Sequence, residues 1–205
     1  MVRFQLLLIL LAAALTCFPQ TASQPPAEIE LPDTPGIYAV IDTSLGRMVA
    51  LLYDDLAPVT VQNFIDLATG KKETNDKKGK KVRRPYYDGL TFHRIIKGFM
   101  IQTGDVKGTG ATDCGIPNLP DEFSTKVTFD NPGTLGMANT GSPNSGSCQF
   151  FITVGRSTHL DGKHTIFGQV VVGHEVAVAI SQVPTSPDGH PKAPILIKSI
   201  TIHKK

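Results

Sequence analysis

The chain has 205 residues, 40% of them apolar, and its 20 basic and 18 acidic side chains leave a formal charge of +2. That length suits one domain around a single sizeable core, and no internal repeat is present. Past the N-terminus no apolar run approaches the roughly 20 residues of a membrane-spanning helix, and the histidines show no metal-ligand spacing.

In chain order, the first element is a targeting segment. Arg3 is the only charge before Glu28, and Phe4 to Leu15 is an apolar run too short to span a bilayer comfortably. Thr21-Ala22-Ser23 supplies small residues after it, so a secretory signal peptide is expected over 1–23. An uncleaved anchor and a lipoprotein at Cys17 fit less well, since Ala14-Leu15-Thr16 matches a lipidation signal poorly. No stable membrane insertion is expected once the signal is removed. Residues 24–35, with four prolines, read as an extended tether, and the folded domain is expected over 36–205.

Gly36 to Thr43 and Arg47 to Tyr53 are rich in strand formers, and Ser44-Leu45-Gly46 between them suits a tight hairpin. Pro58 opens a helix that Gly70 closes, with an apolar stripe of Val59, Phe64, Ile65 and Leu67. Segment 71–84 holds eight basic residues against two acidic ones, a local charge of +6. It reads as a solvated basic loop insertion, with steering of an acidic partner as the sharper alternative. Short strands are then predicted at Leu90–Ile96, Phe99–Thr103, Leu135–Ala138, Phe150–Val154 and Thr165–Val172. A second helix at His174 to Gln182 and a last strand at Ile195 to His203 complete the chain. Many short strands and few helices point to a closed or nearly closed antiparallel barrel.

The most informative run is Phe92 to Asp105, F-H-R-I-I-K-G-F-M-I-Q-T-G-D. It sets Arg94 among apolar residues, and a buried cation is costly without a partner or a task. By itself this leaves open both a structural salt bridge and a site that aims a guanidinium at an apolar group. Two later segments complete the constellation: Leu135 to Ile152, L-G-M-A-N-T-G-S-P-N-S-G-S-C-Q-F-F-I, and His159 to Gly168, H-L-D-G-K-H-T-I-F-G. In order and spacing, F-H-R-I-I-x-G-F-M-I-Q, M-A-N, Q-F-F-I and L-D-G-K-H-x-x-F-G resemble the cyclophilin family of peptidyl-prolyl cis-trans isomerases, over nearly all of Gly36 to His203.

The resemblance implies a mainly β fold, a closed eight-stranded antiparallel barrel capped by two α-helices. It implies an isomerase of exported, bacterial-like form, periplasmic or secreted, that assists the folding of exported proteins. The partners implied are proline-containing segments of unfolded or flexible proteins, met by a monomer with no cofactor and no metal. Arg94 would donate to the prolyl nitrogen, and Gln102 would orient Arg94 and the substrate. His164 would be a wall and weak donor rather than a general base. Phe99, Met100, Phe151 and Leu160 would hold the proline ring. Ala138 and Asn139 would offer a strand edge to the peptide, with Gln149 along the groove. His93 would pack or bond internally.

Two departures from the family stand out. His159, on the far wall of the groove, replaces the tryptophan of many cyclophilins, and this chain has no tryptophan at all. The second is Cys148, where serine is common. Signal cleavage leaves Cys114 and Cys148, and their sequence positions do not show whether they are close enough to bridge. The family places the regions carrying them on one side of the groove, so the resemblance implies a Cys114–Cys148 disulfide. Rival readings are weaker. A hydrolase built on Cys148 and His164 lacks any supporting motif. A proline-peptide binding module without turnover sits poorly with Arg94, Phe99, Gln102, Phe151 and His164 together. Nucleic acid is not expected, because segment 71–84 has no interleaved aromatic residues.

Overall fold

The computed structural model describes residues 31–111 and 113–205. The expected signal peptide, and the tether as far as residue 30, lie outside the described residues. The last tether residues touch the domain: Thr34 bonds the Tyr38 hydroxyl, and Asp33 pairs with Lys205 at 2.8 Å.

Short runs of apolar and β-branched residues, buried without a break along β7 (Thr134–Met137) and β8 (Phe150–Thr153), build an eight-stranded antiparallel sheet. Its members in chain order are β1 (Ile37–Thr43), β2 (Gly46–Leu52), β5 (Arg94–Ile96), β6 (Met100–Thr103), β7 (Thr134–Met137), β8 (Phe150–Thr153), β9 (Ile166–Val172) and β10 (Ile197–Lys204). The sheet order is β10-β1-β2-β9-β7-β8-β6-β5. A two-residue loop joins β1 to β2, locked by the Thr43 hydroxyl, which donates to Gly46 O and accepts from Leu45 N.

Helix α1 (Pro58–Ala68) turns Val61, Phe64, Leu67 and Ala68 into the core. Its N-terminus has no local side-chain cap. Instead the Glu122 carboxylate, 63 and 62 residues away, accepts from Val59 N and Thr60 N at 3.0 and 2.8 Å. An anion there satisfies two orphan donors and complements the helix dipole. Helix α2 (His174–Ser181) buries Ala177 and Ile180. In the core, Phe64 meets Tyr87, Phe150 and Phe167 with ring centroids 5.2 to 5.3 Å apart, a spacing at which tilted and edge-on aromatic pairs are favourable.

The closed barrel needs correction. The end strands β5 and β10 form no ladder with each other. They meet through an isolated bridge, Thr91 to Leu196, and through bonds such as Phe92 N to Ile195 O at 3.0 Å. Pro191 and Pro194 lie in the chain leading to β10, and proline has no N–H for a ladder. The predicted strand Leu90–Ile96 accordingly shortens to Arg94–Ile96. The basic segment also differs from the expected loop. It forms a hairpin of β3 (Glu73–Asn75) and β4 (Lys81–Arg83), with Thr74 buried opposite half-buried Val82. No helix among the described residues is long and apolar enough to cross a membrane.

Candidate active site

Strand register assembles the site. Antiparallel partners point to the same face. Ile95, Ile101, Ile152 and Leu135 are mutual partners across β5, β6, β8 and β7, and all are buried in the main core. One residue along, the next row is Arg94, Gln102, Phe151 and Gly136. Four residues distant in sequence thus line up on the opposite face, over a second apolar cluster of Met100, Phe129, Phe151 and Ile166.

This geometry revises the status of Arg94. It is exposed, not a buried cation, because Ile95 takes the inward position beside it. Among the described residues it forms no ion pair, which removes the structural salt bridge. Its Nη1 donates to Gln102 Oε1 at 3.3 Å and lies 4.0 Å from Met100 Sδ. Gln102 Nε2 donates to Gln149 Oε1 at 3.0 Å, and Gln149 Nε2 donates to Gly110 O at 3.1 Å. A guanidinium only donates, so it fixes the orientation of both amides down this relay. The remaining guanidinium N–H groups are left for a ligand.

The relay ends on a loop that the sequence reading did not assign to the site. Asp105, 1% exposed, accepts from Lys107 N, Thr109 N and Gly110 N at 3.0, 2.8 and 2.5 Å. This carboxylate sets where the Gly110 carbonyl sits. Gly136 was missed as well. A Cβ there would overlap the Phe151 ring, so only glycine lets that ring lie flat across β7. Gly136→Ala is expected to cost about 1–3 kcal/mol of stability by overpacking and to push the ring into the groove. Thermal unfolding together with KM for a proline peptide would show both effects. Wild-type KM in a folded variant would contradict the steric role.

Beside the guanidinium lies a cavity of about 250 Å³ lined by Arg94, Phe99, Met100, Gln102, Ala138, Asn139, Phe151, Leu160 and His164. Phe151 meets His164 edge-on at 5.3 Å. His164 Nδ1 lies 2.9 Å from Met137 O. A carbonyl can only accept, so Nδ1 carries the proton, and Nε2 of the neutral ring is an acceptor. His159 is exposed on the 3-10 turn Thr158–Leu160, its ring 5.2 Å from Phe99. His93 is buried, and that burial lowers its pKa from the usual histidine value.

The strand edge is narrower than expected. Ala138 N already donates to Gln149 O at 3.0 Å. Asn139 sits just beyond β7, and among the described residues its backbone N–H and C=O have no partner. Its side chain holds the far wall by donating to Lys163 O at 2.8 Å. A second cavity, about 530 Å³, shares Gln102, Ala138, Asn139 and Gln149 and continues past Asp113 and Asn118. A disulfide joins Cys114 to Cys148, both 1% exposed. A buried, bridged Cys148 offers no thiolate, which removes the hydrolase reading.

Residues 38–202 match the family model described as cyclophilin type peptidyl-prolyl cis-trans isomerase. The chain belongs to the cyclophilin family. This cyclophilin is 45% identical to the probable peptidyl-prolyl cis-trans isomerase A of Mycobacterium bovis over 167 residues, covering 80% of this chain and 91% of that one. It is 42% identical over 173 residues to the peptidyl-prolyl cis-trans isomerase B of Streptomyces anulatus, covering 82% and 98% of the two. Among solved structures, a Cryptosporidium parvum cyclophilin type isomerase superposes with a TM-score of 0.71 at 31% identity, covering 82% of this cyclophilin and 98% of the other chain. The same protein crystallised in the presence of the dipeptide Ala-Pro gives a TM-score of 0.69 at 31% identity. The family, the mainly β fold and the isomerase activity read from the motifs all stand with these relatives.

Proposed function

We propose that this cyclophilin accelerates rotation about X–Pro bonds in exported polypeptides, with Arg94 as the group that acts on the amide. The amide before proline resists rotation by about 18–20 kcal/mol because of resonance. No bond breaks, so neither nucleophile nor general base is required. A donor aimed at the prolyl nitrogen favours the twisted amide, because that lone pair is free only when resonance is lost. The observation that carries this reading is the relay-held guanidinium of Arg94 beside a small apolar cavity.

Phe99, Met100, Phe151 and Leu160 hold the ring, and the free backbone groups of Asn139 pair with the flanking chain. A rate gain of about 10⁵ needs roughly 7 kcal/mol, while one charge-assisted hydrogen bond supplies about 1.5–3 kcal/mol. Displacing water from exposed Arg94 and gripping both flanks of the proline supply the rest. The signal-like segment 1–23 and the Cys114–Cys148 disulfide support a periplasmic or secreted location. Measuring cis-trans exchange of a proline peptide with purified protein tests this reading. Exchange is expected well within the tens to hundreds of seconds of the uncatalysed reaction. Binding without faster exchange would make the protein a binding module instead.

His159 carries a second consequence. The family's tryptophan helps bind cyclosporin-class inhibitors, and an imidazole presents less surface there. Weak inhibition is expected with isomerisation retained, and His159→Trp should tighten binding by about tenfold, or ~1.4 kcal/mol. Titration of both proteins with the inhibitor checks this, and tight inhibition of the wild type would contradict it.

A further inference from the structure

The basic hairpin β3–β4 is unlike the rest of the surface. Lys77, Lys78, Lys80, Lys81, Arg83 and Arg84 are all exposed, and none forms an ion pair among the described residues. Of the two acidic residues, Asp76 is committed to its own turn, where its carboxylate accepts from Lys78 N and Lys80 N at 2.8 and 2.9 Å. Glu73 faces Arg83 across the ladder. The hairpin is also fastened to the groove. Asn75 N donates to Cys114 O at 2.8 Å, and Lys81 Nζ donates to Gly115 O at 2.7 Å. Asp113, one residue before Cys114, lines the cavity that shares Gln102, Gln149 and Asn139 with the relay and the ring cavity. The ribbon is thus fastened one and two residues along the chain from the groove lip, where consecutive Cα atoms are about 3.8 Å apart. The disulfide to Cys148, next to Gln149, pins that junction.

We infer that this hairpin is a docking surface for acidic polypeptide, and that clients carrying a run of Asp or Glu a few residues from the proline are preferred substrates. The inference rests on the isomerase reading and adds a substrate class to it. An extended chain leaving the second cavity advances about 3.3–3.6 Å per residue, so a few residues carry it onto the ribbon. The chemistry disfavours other occupants. Single-stranded nucleic acid is held by aromatic stacking as well as charge. Segment 71–84 has no aromatic residue, and neighbouring Tyr86 and Tyr87 are 3% and 0% exposed. An anionic membrane would attract the same charges, but firm binding also draws on apolar side chains that insert, and Val82, the one large apolar residue in the hairpin, is half-buried.

The test uses proline peptides that carry a run of glutamates before or after the proline, with glutamine-tailed controls. Kinetics are read on wild type and on a Lys77→Gln, Lys78→Gln, Lys80→Gln variant, at low and high salt. The wild type is expected to show about a 3- to 10-fold higher kcat/KM for a glutamate tail on one flank, through KM, and to lose the gain at high salt. The glutamine variant should lose the gain and turn over the control peptide normally, and the matching arginine variant should recover it. A gain that survives in the glutamine variant, or no gain on either flank, overturns the inference. So does tighter, variant-sensitive binding of phosphatidylglycerol vesicles or an oligonucleotide than of the glutamate peptide. If the control peptide is not turned over at all, the isomerase reading fails, while fluorescence anisotropy of the glutamate peptide on wild type and variant still reads the hairpin.

Discussion

Arg94→Ala is expected to lower kcat/KM for a proline peptide about 10- to 150-fold, the equivalent of one charge-assisted hydrogen bond of roughly 1.5–3 kcal/mol. Stability should change by no more than about 0.5 kcal/mol, because the side chain is exposed and forms no ion pair among the described residues. Arg94→Lys should recover only part of the loss. An ammonium is a single point of charge and cannot both hold Gln102 Oε1 and reach the prolyl nitrogen with a planar fork. Gln102→Ala should fall between the two, since it removes the acceptor that aims the guanidinium. A coupled isomerisation assay with thermal unfolding of each variant checks the set. Parallel losses of activity and melting temperature would show that Arg94 acts through the fold and not on the amide.

The largest stability effect is expected at the disulfide. Cys114 and Cys148 are separated by 34 residues, and closing a loop of that length restricts the unfolded chain by about 3–4 kcal/mol in the loop-entropy treatment. Reduction, or Cys114→Ser with Cys148→Ser, should lower the unfolding free energy by that amount and the melting temperature by on the order of 10 °C. Activity should fall too, because Gln149 follows Cys148 and passes the relay to Gly110. Urea unfolding with and without reductant measures the first effect. A change below about 1 kcal/mol would mean that packing alone holds the two segments together.

Much of this was legible in the residues. The strand-former runs Gly36–Thr43 and Arg47–Tyr53, split by Ser44-Leu45-Gly46, read directly as paired strands, and Pro58 and Gly70 frame α1 as expected. The motif residues converge because strand register, not sequence distance, brings Arg94, Gln102 and Phe151 into one row. The errors have physical causes. Arg94 seemed buried because its neighbours are apolar, yet strand alternation with Ile95 inward already places it outward. Segment 71–84 shows no apolar period because its inward residue is Thr74, a polar side chain. The role of Asp105 was hidden because a carboxylate that organises a loop leaves no periodic trace, although T-G-D followed by G-T-G is a turn signal. Gly136 is informative only once Phe151 is known to lie across it. The partial closure of the barrel turns on how the chain around Pro191 and Pro194, which leads into β10, meets the segment before β5, a long-range pairing that local pattern does not reveal.

On the reading proposed above, Arg94 stabilises the twisted amide more than the bound peptide. Exchange NMR at saturating peptide separates the two, reading the cis-trans rate within the complex and the dissociation constant from the same titration. Arg94→Ala should slow on-enzyme exchange about 10- to 150-fold, with the dissociation constant within about twofold of wild type. An unchanged exchange rate with affinity weakened by the same factor would contradict it, and would make Arg94 a substrate anchor.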